Sequence, residues 1–164
     1  MLWVDDCRPL LDIYQKIFGD LGFEVQVTAS PQEALDHLAL NAVDVAILDF
    51  EMPEMNGCVL AALIKERHPE LPVILYSASS DIPLNARRWV DAICSKTVPR
   101  EHLLALMEAT LADREVSLAG SYAVGDRMQK YAFPGPGSCE VYPAELQGDS
   151  SAVLNHRFRT RFTA

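Results

Sequence analysis

The chain has 164 residues, 49% of them hydrophobic and 23% charged, with a net charge of -9. That balance is the one of an ordinary globular domain in water and excludes a disordered or fibrous chain, and the length fits one domain with something appended. No apolar run approaches the ~18 residues that a bilayer span needs. No basic region precedes an apolar stretch at the N-terminus, so no signal peptide is expected and a cytoplasmic protein is.

Five short apolar runs alternate with segments of helical period. The first run, Leu2–Val4, begins almost at once, which raises the expectation that native residues precede Met1. A helix follows from Pro9 to Leu21, with Leu10, Ile13, Tyr14, Ile17, Phe18 and Leu21 as its apolar stripe and Gly22 as its stop. The second run is Glu24–Thr28. Ser30 then precedes Pro31-Gln32-Glu33, a capping box with proline in the first turn, opening a helix to about Ala42. The third run, Val43–Leu48, leads to Asp49 and then to a helix from about Cys58 to His68, closed by Pro69. The fourth run is Pro72–Ser77, with a weakly marked helix within Asp81–Val90. The fifth is Ala92–Ser95, followed by a helix from about Pro99 to Ala112 that carries Leu103, Leu104, Leu106, Met107 and Leu111 on its apolar side.

The runs are rich in Val, Ile and Leu without polar alternation, as strands covered on both faces are. Alternating β and α of this length predicts a doubly wound α/β fold: a five-stranded parallel sheet with right-handed crossovers. Strand order 2-1-3-4-5 is expected by analogy with known folds of this kind, and it makes strands 1 and 3 neighbours at the switch point where ligands bind. Asp5 and Asp6 end the first run and Asp49 ends the third, so three carboxylates are expected at one rim. Like charges that close need a partner, and an all-oxygen site suits magnesium or calcium.

These residues, with two more, resemble the receiver domain of two-component response regulators, the CheY-like superfamily. The markers occur in order: Asp5-Asp6; Asp49 in Leu-Asp-Phe-Glu-Met-Pro-Glu-Met-Asn-Gly; Ser77 in Val-Ile-Leu-Tyr-Ser-Ala; Lys96 in Ile-Cys-Ser-Lys. The resemblance covers residues 1–112 and implies a flavodoxin-like fold with a C-terminal extension, 113–164. It implies Asp49 as phosphoacceptor, Asp6 as a direct Mg2+ ligand, Asp5 as a ligand mainly through water, and the Glu51 main-chain carbonyl as a further ligand. Ser77 and Lys96 would contact the phosphoryl group, while Met52-Pro53 and Asn56-Gly57 shape the loop beside it. The implied partners are a sensor histidine kinase or phosphotransfer protein and a downstream protein or a second copy of the chain.

Two positions depart from the family pattern. Thr97 follows Lys96 where proline is common, and the aromatic switch position falls on Ile93, which has no ring to swing. Phosphorylation with weakly coupled output, or output through a different face, is therefore expected. Two rivals stand beside the receiver. One is a hydrolase or phosphotransferase with an aspartyl-phosphate intermediate, for which Glu51 would be the acid two positions on. The other is an unphosphorylated interaction module.

The remaining features are read as structural. Cys7, Cys58, Cys94 and Cys139 form no C-x-x-C pair and are expected as free thiols. His37, His68, His102 and His156 fall in separate elements without metal spacing, and Trp3, Trp89 and Tyr76 are expected to pack. Residues 1–112 hold 17 acidic and 8 basic side chains, and so repel phosphates, while residues 113–164 hold 6 of each. No helix-turn-helix pattern appears, and neither nucleic-acid nor membrane binding is expected. The alternating basic and aromatic end, His156-Arg157-Phe158-Arg159-Thr160-Arg161-Phe162, is read as an exposed strand or terminus.

Overall fold

The computed structural model describes residues 1–79, 82 and 87–119. The expectations for the extension beyond Ala119, including Cys139 and His156, lie outside the described residues, as do residues 81 and 83–86 of the segment expected to hold a helix within Asp81–Val90.

The strands are β1 (Leu2–Val4), β2 (Gln26–Thr28), β3 (Ala46–Asp49), β4 (Val73–Ser77) and β5 (Ala92–Ser95), and the helices are α1 (Arg8–Asp20), α2 (Pro31–Leu40), α3 (Gly57–Arg67) and α4 (Arg100–Ala119). All neighbouring strands are parallel, in the order β2-β1-β3-β4-β5. The expected doubly wound sheet is thus present. Between β4 and β5 the described residues include a single 3-10 turn, Arg87–Trp89.

Alternation along the strands divides the core. Leu2, Val4, Ala46, Leu48, Val73 and Leu75 pack with Ala34, Leu35 and Leu38 of α2 and Leu60, Ala61 and Ile64 of α3. The other face carries Trp3, whose ring stacks on Tyr14 of α1 at 4.2 Å and meets Phe18 edge-on at 5.0 Å. α4 buries Leu103, Leu104, Met107, Thr110 and Leu111.

Local signals explain the boundaries. Gly22 has φ 93°, a left-handed conformation that ends α1 cheaply only with glycine. Ser30 caps α2 by accepting the Glu33 N–H. The reciprocal half of the expected capping box is not the contact Glu33 makes. Its carboxylate instead accepts the Thr28 hydroxyl at 2.6 Å, and Thr28 Oγ1 takes the Ser30 N–H. The α1 stripe also differs from expectation: Leu11 is buried, whereas Ile13 is 50% exposed. Leu11, Tyr14 and Phe18, three and four residues apart, share one face of α1, and Tyr14 and Phe18 meet the Trp3 ring from it.

Candidate functional site

β1 is fully buried and delivers Asp5 to its C-terminal rim. The Asp5 N–H donates to Thr28 O at 3.3 Å, which holds that residue in line with the sheet. The Asp5 carboxylate is 1% exposed and has a partner on each oxygen. Oδ1 accepts the Cys7 N–H at 2.9 Å, and Oδ2 accepts the Lys96 ammonium at 2.7 Å. Asp6, one residue on, points away from the core and is exposed.

Asp49 closes β3, the strand next to β1. Its carboxylate is nearly buried and lies 3.1 Å from Lys96 Nζ. The loop after it turns back tightly. Gly57 donates its N–H to Phe50 O at 3.0 Å, and a Cβ there would fall 2.1 Å from Asp49 O. Only glycine lets the start of α3 approach that closely. Asn56 fixes this start by accepting the Cys58 and Val59 N–H groups, and buried Met52 anchors the loop.

Lys96 follows β5 and reaches over the end of β4 to both carboxylates. Its N–H donates to Ser77 O at 2.8 Å. Ser77, 1% exposed, ends β4 one position beyond the Asp49–Tyr76 pair, and its Oγ accepts the Ser79 N–H at 3.0 Å. Glu51 is exposed, two residues past Asp49. Ile93 sits lower on β5, paired with Leu75 and half-buried against the core shared with α2 and α3.

One ligand oxygen from each of Asp5, Asp6 and Asp49 lies within 4.8 Å of the others, and these are the residues among those described that could together hold a metal. The donors are all hard carboxylate oxygens. One ammonium against three carboxylates leaves a surplus of negative charge, so the residues present fit a magnesium ion. Burial raises the Asp49 carboxyl above the ordinary aspartate value. It outweighs the hydrogen bond and charge of Lys96, and the charge of Asp5 pushes the same way. Burial also disfavours the Lys96 ammonium, but the hydrogen bonds and charges of Asp5 and Asp49 together outweigh it and hold its pKa above the usual lysine value.

The structure therefore brings Asp5, Asp6, Asp49 and Lys96 together, sets Ser77 beside them and leaves Ile93 below. The direct Lys96–Asp5 pair and the Gly57 approach were not anticipated. A Gly following Asn before an apolar helix is a signal for the second; nothing local signals the first. An aromatic wall backs the site: Tyr76 meets Trp3 edge-on at 5.6 Å, and Lys96 Nζ lies 6.0 Å from the Tyr76 ring. Burial, then Tyr76, pushes the Tyr14 phenol up to about 12, so it stays protonated near neutral pH. Cys7, Cys58 and Cys94 are free thiols. Among the described residues no helix is long and apolar enough to cross a membrane.

The sequence profile of the response regulator receiver domain matches residues 1–108. The DNA-binding transcriptional regulator NtrC of Klebsiella pneumoniae is 37% identical over 79 residues, 48% of this chain and 17% of that protein. The response regulator SaeR of Staphylococcus aureus is 35% identical over 80 residues, 49% of this chain and 35% of that protein. A CheY-like response regulator receiver domain protein from Methanospirillum hungatei has a similar structure, with TM-score 0.64 and 25% identity over 71% of this chain and 95% of that one. The matched segments are about a third or less of these two regulators' lengths.

Proposed function

This chain belongs to the response regulator receiver domain family of two-component systems, and on that premise we propose that it accepts a phosphoryl group on Asp49 from the phosphohistidine of a sensor kinase or phosphotransfer protein. The observation that carries this reading is the convergence of Asp5, Asp6 and Asp49 within 4.8 Å, with Lys96 bonded to two of them.

The chemistry follows from the residues. Asp49 is the nucleophile. Its carboxylate oxygen bonds to phosphorus as the phosphorus–nitrogen bond of the donor breaks, and the histidine nitrogen leaves with that electron pair and takes up a proton. Asp6, Asp49 and the Glu51 main-chain carbonyl would hold magnesium directly, with Asp5 assisting through water. When bound, the ion supplies positive charge to the crowded carboxylates and phosphoryl oxygens. Asp5 already spends both oxygens on Cys7 and Lys96, whereas Asp6 is open to solvent, which supports that division of labour. Lys96 is tethered by Asp5 and Asp49 and turns its remaining donor toward an incoming oxygen.

Ser77 provides the state-dependent contact. Its oxygen accepts from Ser79, and its hydroxyl hydrogen serves a phosphoryl oxygen in the modified state alone. Ile93 packs as an aliphatic core residue, so a ring movement at that position plays no part in output. Downstream, the modified chain meets a protein partner or a second copy of itself.

Incubation with acetyl phosphate and magnesium tests the reading. A stoichiometric adduct that decays slowly agrees with it. Continuous phosphate release from simple monoesters, with no retained adduct, contradicts it and favours a hydrolase using Glu51.

A further inference from the structure

Lys96 has a long, flexible side chain, yet it must meet two carboxylates from two different strands. Its backbone is held on both sides. On one side its own N–H donates to Ser77 O at 2.8 Å. On the other, the next N–H, that of Thr97, donates to Ser95 Oγ at 3.1 Å, and Ser95 Oγ lies 2.8 Å from Thr97 Oγ1. Val98 N–H closes the turn onto Ser95 O at 3.4 Å. Lys96 is thus the middle residue of a small ring made by the Ser95 hydroxyl, a serine turn that mimics a backbone turn.

We propose that Ser95 and Thr97 are positioning residues for Lys96: their hydroxyl clamp fixes the turn from which the lysine spans Asp5 and Asp49. The proposal rests on the reading of Lys96 as the cation that meets the phosphoryl group. Register supports it. Ser95 pairs with Ser77, so the clamp and the Ser77 carbonyl grip the two ends of one short segment. Placement of the hydroxyls supports a role beyond stability. Thr97 is exposed and Ser95 half-exposed, where a neutral hydrogen bond contributes little to folding. Lys96, by contrast, stands where a displacement of about 1 Å costs on the order of 100-fold in rate. The Thr97 N–H is itself a required part, because it is the donor that the Ser95 oxygen receives.

The test uses the full chain with acetyl phosphate and magnesium, alongside amide hydrogen exchange without either. Ser95→Ala is expected to slow phosphorylation about tenfold, and Ser95→Thr, which keeps the oxygen, to restore the rate to within about twofold. Thr97→Val keeps the N–H and removes one hydroxyl, and is expected to fall between them. In a Lys96→Met background, Ser95→Ala is expected to have no further effect, because the side chain it orients is gone. The Thr97 amide is expected to exchange about tenfold faster in Ser95→Ala than in the wild type. An unchanged rate in Ser95→Ala, or an equal slowing with and without Lys96, overturns the clamp. If the wild type takes up no phosphoryl group, the proposed function fails, and exchange decides the clamp alone: equal Thr97 exchange in wild type and Ser95→Ala overturns it.

Discussion

Lys96 Nζ lies 2.7 Å from Asp5 Oδ2, joining residues 91 positions apart in the chain. The carboxylate is 1% exposed and the lysine side chain 17%, so this is a largely desolvated pair. It ties the end of β5 to the end of β1, which are not neighbours in the sheet. The same ammonium lies 3.1 Å from Asp49, so one cation tethers the acidic rim before any ion or phosphoryl group arrives.

Removing that cation strands a buried carboxylate. Lys96→Met is expected to lower stability by about 3 kcal/mol, the scale for breaking a buried pair from one side. Magnesium should recover part of the loss, because the rim then carries three uncompensated negative charges. Chemical denaturation with and without magnesium checks both effects.

Asp5 and Asp6 should separate cleanly under mutation. Asp6 is exposed, and Asp6→Asn is expected to change stability in the absence of magnesium by less than about 0.5 kcal/mol. In the wild type, magnesium at ten times its Kd should add ~1.4 kcal/mol, and Asp6→Asn should lose most of that gain. Asp5→Asn, which removes one of the two carboxylates paired with Lys96 and weakens the tie to Cys7, should destabilise the fold even without magnesium. Thermal melts across a magnesium titration distinguish the three proteins.

Burial raises the Asp49 pKa above its ordinary value of 3.8, against the pull of Lys96. An acid whose folded pKa is raised binds more protons folded than unfolded. Its cost is therefore absent below 3.8, grows as pH rises through the interval up to the folded value, and is fully present above it. Asp49→Asn is expected to stabilise the metal-free protein by about 1 kcal/mol at neutral pH, with the gain vanishing below the ordinary aspartate range. Denaturant midpoints measured from acid to neutral pH carry the test. A gain that persists unchanged into acid would contradict it.

Gly57 and Gly19 should respond in opposite senses to a methyl group. Gly57→Ala drives a Cβ into the Asp49 carbonyl at 2.1 Å and should cost about 3 kcal/mol while slowing phosphorylation. Gly19, in the last turns of α1, has nothing within 4 Å of its would-be Cβ, and Gly19→Ala should gain roughly 0.5–1 kcal/mol. Paired denaturation curves suffice.

Much of this site is legible along the chain because its acids end apolar runs. Strand-end position follows from hydrophobic pattern, and Asp5, Asp6 and Asp49 inherit their convergence from the parallel order of β1 and β3. The Ser30 cap is legible for the same local reason. The failures are non-local or rotational. Lys96 finds Asp5 across 91 residues, a pairing that periodicity does not encode. Glu33 prefers the Thr28 hydroxyl, donated from the preceding strand, to its own cap. Ile13 lies outside and Leu11 inside, because Leu11 shares the face of α1 that carries Tyr14 and Phe18 onto the Trp3 ring, and a count of apolar residues does not fix that rotation. The clamp at Ser95 and Thr97 is not legible along the chain, because two small hydroxyl residues around a lysine look like any polar turn.

Acyl-phosphate formation at one carboxylate, Asp49, is the step on which the proposed function stands or falls. The most direct measurement treats the wild type and Asp49→Asn with acetyl phosphate and magnesium, reduces the products with borohydride, and maps the modified peptide by mass. One phosphoryl group per wild-type chain, reductive trapping at position 49, and no adduct in the variant are expected. An adduct retained in Asp49→Asn, or trapped at another residue, would contradict the proposed function.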